Sequence, residues 1–103
     1  MNFIIKEEFS KKLNILFKKY KNILKDFDNF QETFNLSQQK HLWQWIYKCR
    51  MKNTSIPTGK RGWFRIIILV RILENKALPF IIYSKRDMNN ISLQEIKDEL
   101  SKI

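Results

Sequence analysis

The sequence has a single cysteine, Cys49, and a single histidine, His41. One cysteine excludes a disulfide within the chain, and these two residues are too few for the Cys and His sets that hold zinc. We therefore expect no metal and no other cofactor. We therefore do not expect the protein to be a metal-dependent enzyme.

The chain also lacks a long hydrophobic run. Its longest aliphatic stretch, residues 66–70, is bounded by Arg65 and Arg71, whereas a membrane-spanning helix needs about 20 apolar residues. The first residues do not resemble a secretion signal. We expect a cytoplasmic protein without a membrane partner.

Acidic residues are scarce, since 20 Lys and Arg stand against 10 Asp and Glu, for a formal net charge of +10. Residues 40–88 hold eleven Lys and Arg but only Glu74 and Asp87, a net charge of +9. Charge concentrated in one segment indicates a polyanionic partner, nucleic acid first. The alternative is that the lysines only keep the protein soluble.

The length and the first third of the chain indicate how the fold begins. A chain of 103 residues with 44% hydrophobic composition predicts one folded domain, residues 1–103. Residues 2–5 are a short apolar stretch that could open a sheet. From Phe9, apolar residues recur at steps of three and four, which indicates two amphipathic helices over residues 9–34 with a bend near residues 20–22. Their aromatic residues are interpreted as core.

Two-residue alternation replaces the helical spacing from Trp45, which indicates half-buried strands. Ser92 and Glu95 have the spacing of a capping box, so a last helix begins there. Successive strands with short connections pair antiparallel, and helices cover a sheet face. The predicted strands are residues 45–52, 63–71 and 77–83, joined by a loop over 53–62 and a tight connection at 73–76.

Together these elements predict an α+β fold in the order β-α-α-β-β-β-α. We expect a small antiparallel, barrel-like sheet with the two N-terminal helices and the C-terminal helix on one face. The other face should then be open to solvent.

Alternation places basic residues of separate strands on that open face. Lys48 and Arg50 should point away from the buried side of their strand, and Arg65 lies in a strongly apolar strand where a charge is costly without a task. The residues expected to converge there are Lys48, Arg50, Arg65, Tyr83 and Lys85, with Lys60 reaching in from the loop.

A cationic patch without carboxylates suits a phosphodiester and not hydrolysis by paired carboxylates. RNA is cleaved without a metal when the 2′-hydroxyl attacks the neighbouring phosphate. Lys48 or Lys60 is the predicted base, because neighbouring cations lower the pKa of a lysine. Arg65 and Arg50 would hold the phosphate, and Tyr83 could stack on a base or assist proton transfer.

Other conspicuous residues have structural interpretations. Cys49 is expected to be a buried small hydrophobic residue, and no Cys-His dyad is predicted. Trp43 and Trp45 are expected to pack, and His41 to lie in a loop. Trp63 is either a base-stacking platform or a lid over the loop, and both interpretations stay open.

The ordered segments "IYKCRMKN", "GKRGWFR" and "FIIYSKRD", followed by a capped helix, resemble toxins of the RelE/ParE superfamily, in particular the RelE and HigB type. "FSKKLNILFKKYKNILKDF" resembles the helical first half of that group. The resemblance implies a RelE-like toxin of a bacterial toxin-antitoxin system. It further implies an mRNA interferase, a hydrolase that cuts messages in the ribosomal A site and inhibits translation. A cognate acidic antitoxin would cover the active surface.

Carried over by motif, the resemblance implies that Lys48 and Arg50 are the basic pair after a tyrosine. It gives Arg65 the place of the arginine that closes the glycine-aromatic step. The late tyrosine of the nuclease members would fall near Ile91 or Ser92, so the sequence departs there. The predicted catalytic residues are Lys48, Lys60, Arg65 and Tyr83, and the predicted RNA- and phosphate-binding residues are Arg50, Lys52, Arg61, Trp63, Lys85 and Arg86.

Two alternatives remain open. ParE-like relatives poison DNA gyrase without being nucleases, so the chain could be a non-enzymatic inhibitor of that enzyme. It could also be a toxin fold that binds RNA without cleaving it.

Overall fold

The computed structural model describes residues 1–57, 59–88 and 90–103. Those residues form an α+β fold. Short 3-10 turns occur in three connections, at Leu36–Gln38, Lys60–Gly62 and Ile72–Glu74. In chain order, the strands and helices are β1 (Asn2–Phe3), α1 (Glu7–Phe17), α2 (Ile23–Glu32), β2 (Lys40–Trp43), β3 (Ile46–Met51), β4 (Phe64–Arg71), β5 (Lys76–Ser84) and α3 (Leu93–Leu100).

The sheet has five strands in the order β1-β5-β4-β3-β2. Each pair from β2 to β5 is antiparallel, as the short connections predicted. However, β1 pairs parallel with β5, so the prediction of a purely antiparallel sheet is wrong. The chain passes through two helices and three other strands between β1 and β5, which supplies the long crossover that a parallel pair requires.

The first face of the sheet is covered by α1 and α2. Their apolar stripe packs on the inward residues of β3, β4 and β5, and the predicted break between the two helices is confirmed. Each large apolar side chain that is fully buried in this way stabilises the fold by about 1.5–3 kcal/mol. Two apolar residues of the helices do not join this core, since Phe17 is 38% exposed and Leu24 is 44% exposed. The buried members from the helices and the break between them are Phe9, Leu13, Tyr20, Ile23, Phe27 and Phe30.

The second face carries its own core. Ile96 of α3 is 2% exposed and packs with Ile67, Ile81 and Tyr83. The prediction that all helices cover one face is therefore wrong, because α3 lies on the face opposite to α1 and α2. The capping box that begins α3 is confirmed, with Ser92 accepting from the Glu95 amide. Part of the face that was expected to be open is thus covered.

The segment before β3 forms an additional strand. Residues 40–43 pair with β3, so His41 lies in a strand and not in a loop. Trp45 lies in the tight turn between β2 and β3 and is 57% exposed, which corrects the prediction that it packs. Gln44 takes the left-handed backbone conformation that closes the turn, with φ 47°. Within the described residues, no helix has the length and apolar character needed to cross a membrane.

Candidate nucleic-acid interface

A cationic hollow of about 670 Å³ opens where β2, β3 and β4 meet the loops on either side. We call it the basic hollow. Among the described residues that line it there is no carboxylate. The lining residues are Ser37, Gln38, Gln39, Lys40, Lys48, Arg50, Lys60, Trp63, Arg65 and Lys85.

Strand register brings like charges directly opposite each other. Arg50 on β3 pairs with Arg65 on β4, and Lys48 pairs with Lys40 on β2. Like charges in directly opposed positions destabilise a sheet by up to about 1 kcal/mol per pair. The hollow therefore costs stability, as expected of a surface shaped for a ligand.

Arg65 forms the inner part of the hollow and is only 6% exposed. Its guanidinium donates to the carbonyl oxygens of Trp63 at 3.1 Å and of Lys60 at 3.3 Å. Within the described chain, no carboxylate lies within ion-pair distance of it. Burial lowers the pKa of Arg65, and the charge of Arg50 lowers it further. Arg65 thus holds the loop in place while adding positive charge to the hollow.

Lys48 is the lysine whose environment most resembles that of a base. Partial burial lowers the pKa of its ammonium, and the charges of Lys85 and Lys40 lower it further. This agrees with the predicted direction. The amine donates to Asn90 Oδ1 at 3.1 Å, which fixes its position.

Arg50 is exposed at the rim of the hollow. No hydrogen bond or ion pair joins its side chain to another described residue. Its planar fork is therefore available to a phosphate, whereas the fork of Arg65 is partly used by the loop.

The loop that carries Lys60 is tied to α2 and to itself. Asp26 is 6% exposed and accepts from the Thr54 amide at 2.9 Å and from its hydroxyl at 2.7 Å. Asn53 is 2% exposed, donates to the Gly62 carbonyl at 3.3 Å and accepts from the Ser55 amide at 3.0 Å. These contacts set the position of the loop relative to β4.

The turn after β5, which places Lys85, is held from the other side of the sheet. The Tyr20 hydroxyl donates to Asp87 Oδ2 at 2.9 Å and lies 3.2 Å from Ser84 Oγ. Lys19 donates to Asp87 Oδ1 at 2.6 Å. The hydrogen bond from Lys19 is the largest influence that lowers the pKa of Asp87. The Lys85 amide in turn donates to the Trp63 carbonyl at 3.2 Å.

Some residues predicted for the site lie elsewhere. Tyr83 lies directly opposite Arg65 in the sheet. It is 5% exposed in the core beneath α3, and its hydroxyl is buried without a hydrogen-bond partner among the described residues. Burial raises the pKa of this hydroxyl. Lys52, Arg61 and Arg86 are exposed but do not line the hollow.

Cys49 is 1% exposed on the opposite face, and burial raises the pKa of its thiol to about 12. The prediction of a buried, unreactive cysteine is confirmed. The Nε2 atom of His41 bonds the Gln44 carbonyl, and its ring packs on Tyr47 with centroids 5.1 Å apart.

One wall of the hollow was missed from the sequence. Ser37, Gln38 and Gln39, together with Lys40, line it from the segment that leads into β2. That segment was interpreted as a connecting loop. Asn35 could have predicted the turn in this segment, because Asn favours caps and tight turns. In the structure, its side chain accepts a hydrogen bond from the Ser37 amide at the start of a 3-10 turn.

Comparison with known proteins adds no family to this description. No protein-family model matches the chain, and no curated protein is significantly similar to it. The interpretation of the basic hollow therefore depends on its geometry and on the sequence resemblance.

Proposed function

We propose that this protein is a RelE-like toxin that inhibits translation as an endoribonuclease, cleaving messenger RNA at the ribosome by attack of a 2′-hydroxyl. The observation that carries the proposal is the convergence of Lys48, Lys60 and Arg65 on one hollow. Arg50 and Lys85 line the same hollow. A phosphodiester is the substrate that such a cation cluster suits, because cations stabilise charge that develops on phosphoryl oxygens.

In the proposed reaction, Lys48 in its neutral form takes the proton of the 2′-hydroxyl. The 2′-oxygen then forms a bond to phosphorus, and the bond from phosphorus to the 5′-oxygen breaks. The products are a 2′,3′-cyclic phosphate and a 5′-hydroxyl end. The lowered pKa of Lys48 supports this role, since a base works best when its pKa approaches the working pH.

The other cations have separate tasks in this proposal. Arg50 binds the non-bridging oxygens with its fork, and Lys60, which also lines the hollow, adds charge or donates a proton to the leaving 5′-oxygen. Arg65 is a positioning residue first, because two of its hydrogen bonds fix the carbonyls of the loop.

The partner that silences such a surface is proposed to be an acidic antitoxin protein. Complementary charge is how one protein covers a strongly basic patch of another with high specificity. The same complementarity would exclude RNA while the antitoxin is bound.

RNA binding without cleavage is the second candidate, and the position of Tyr83 favours it. Its hydroxyl is buried, so it cannot reach a substrate in this conformation. Among the described residues of the hollow, no carboxylic acid or histidine is present to protonate the leaving group.

The test uses end-labelled messenger RNA on ribosomes with a sense codon in the A site. We expect discrete cuts with cyclic phosphate ends from the parent, at least about a hundredfold slower cuts from Lys48→Met, and parental cuts from Lys25→Met. Lys25 is a matched control because it is exposed on α2, which covers the other face. If the protein binds ribosomes but makes no cuts, the second candidate is selected. If it neither binds ribosomes nor cuts the message, both candidates are refuted.

A further inference from the structure

We infer that the basic hollow binds one nucleotide of single-stranded RNA with its base against Trp63, and that Gln38 sets which base is preferred. This inference rests on the proposed function, because it describes the substrate of the same site. It goes further by naming the residues that read the base. Contacts to phosphate position a nucleic acid but carry no sequence information.

The hollow has two chemically different sides. Four cations, Lys48, Arg50, Arg65 and Lys85, occupy the side formed by β3, β4 and the turn after β5, while Lys40 lies on β2 and Lys60 in the loop before β4. Uncharged hydrogen-bonding side chains, at Ser37, Gln38 and Gln39, occupy the side that leads into β2. A nucleotide has the same division between an anionic phosphate and a base edge with neutral donors and acceptors. The volume of about 670 Å³ is ample for one nucleotide.

Gln38 is the residue of that wall that is available to a ligand. The Ser37 hydroxyl donates to Asn35 Oδ1 at 2.7 Å, and the side-chain Nε2 of Gln39 donates to the Asn35 carbonyl at 2.9 Å. The exposed side chain of Gln38 makes no hydrogen bond to any described residue. A carboxamide offers one donor group and one acceptor side by side, which is the pattern that pairs with a base edge.

Trp63 supplies a surface on which the base can stack. Its carbonyl is fixed by Arg65 and by the Lys85 amide, so the ring is carried by a well-tied backbone. The ring is half-buried at the edge of the hollow. Stacking on an aromatic side chain tolerates every base, so the preference must come from a hydrogen-bonding neighbour.

The experiment measures the affinity of fluorescent 2′-O-methyl oligonucleotides of about six residues, made of A, C or U alone. The methyl group blocks attack, so binding is measured without cleavage. We expect the parent to prefer one base over another by about fivefold or more, and Gln38→Ala to reduce that difference to less than about twofold. Arg50→Gln should weaken all three oligonucleotides alike. Gln31→Ala, on α2, is the matched control and should keep the parental preference.

A second measurement locates the base directly. An oligonucleotide that contains 5-iodouridine is irradiated in the complex, and the cross-linked residue is identified by mass spectrometry. We expect Trp63. A cross-link at another residue, an absence of base preference in the parent, or a preference that survives Gln38→Ala would each overturn the inference, even if ribosomal cleavage is observed. Failure of the parent to bind any oligonucleotide or ribosome would instead refute the proposed function.

Discussion

The opposed arginines of β3 and β4 should make the basic hollow a measurable cost to the fold. Arg50 lies directly across from Arg65, and neither has a carboxylate partner among the described residues. A like-charge pair in this position costs about 0.2–1 kcal/mol. We therefore expect Arg50→Gln to increase the free energy of unfolding by about 0.5 kcal/mol, which raises the melting temperature by about 2–4 °C for a domain of this size.

The assay is thermal unfolding followed by circular dichroism at low and high salt. At about 0.02 M salt the repulsion is only weakly screened, whereas at 1 M the screening length is about 3 Å. The increase in melting temperature caused by Arg50→Gln should therefore be smaller at high salt. Lys25→Gln removes the same charge from an exposed position on the opposite side, so it corrects for the change in net charge.

Two results would refute this reasoning. If Arg50→Gln unfolds at the parental temperature or below it in low salt, then the arginine pair is not a cost. If the gain is the same at both salt concentrations, then its origin is not electrostatic.

Three further predictions concern the supports of the hollow. Asp26→Ala should lower the free energy of unfolding, measured with urea, by about 2 kcal/mol, because Thr54 loses two hydrogen bonds to a carboxylate. An unchanged urea midpoint would show that other contacts hold the loop. The hydrogen bond from Lys19 lowers the pKa of Asp87 in the fold, so its stabilising contribution is present above the ordinary pKa of an aspartate and is lost as the pH falls through the folded pKa. In Asp87→Asn, this loss of stability at low pH should be absent. If the stability of Asp87→Asn falls with pH as steeply as that of the parent, the prediction is contradicted. Tyr83→Phe should keep the stability of the fold or raise it by up to about 1 kcal/mol, since the hydroxyl has no hydrogen-bond partner among the described residues. A loss above about 1 kcal/mol would reveal a missed hydrogen bond.

The sequence predicted the strands of the hollow well because alternation is a local property. A period of two places Phe64 and Ile66 on one face of the strand and Arg65 on the other, and the structure has Phe64 and Ile66 in the first core and Arg65 on the opposite face. Arg65 alone also indicated a functional site, because burying an unpaired charge in an apolar strand is energetically costly.

The side of the sheet that α3 covers could not be predicted in the same way. The stripe of Ile96 and Leu100 shows that one side of the helix is buried, but not which sheet face buries it. That choice depends on tertiary contacts, in which Met88 and Ile91 join the second core. The burial of the Tyr83 hydroxyl follows from this packing and was missed with it.

The wall formed by Ser37, Gln38, Gln39 and Lys40 was missed for a different reason. It leads into β2, which has four residues, is interrupted by a register shift and, among the described strands, pairs only with β3. A short edge strand carries little periodicity, so no local pattern distinguishes it from a loop.

The salt dependence of RNA binding tests most directly whether the cations of the hollow act together on one phosphate backbone. For single strands, the logarithm of the affinity falls with the logarithm of salt concentration by about 0.7 for each neutralised phosphate contact. We expect Arg50→Gln and Lys60→Gln each to reduce this slope by about that amount, while Lys25→Gln leaves it unchanged. Equal slopes for the parent, the hollow variants and Lys25→Gln would contradict the account.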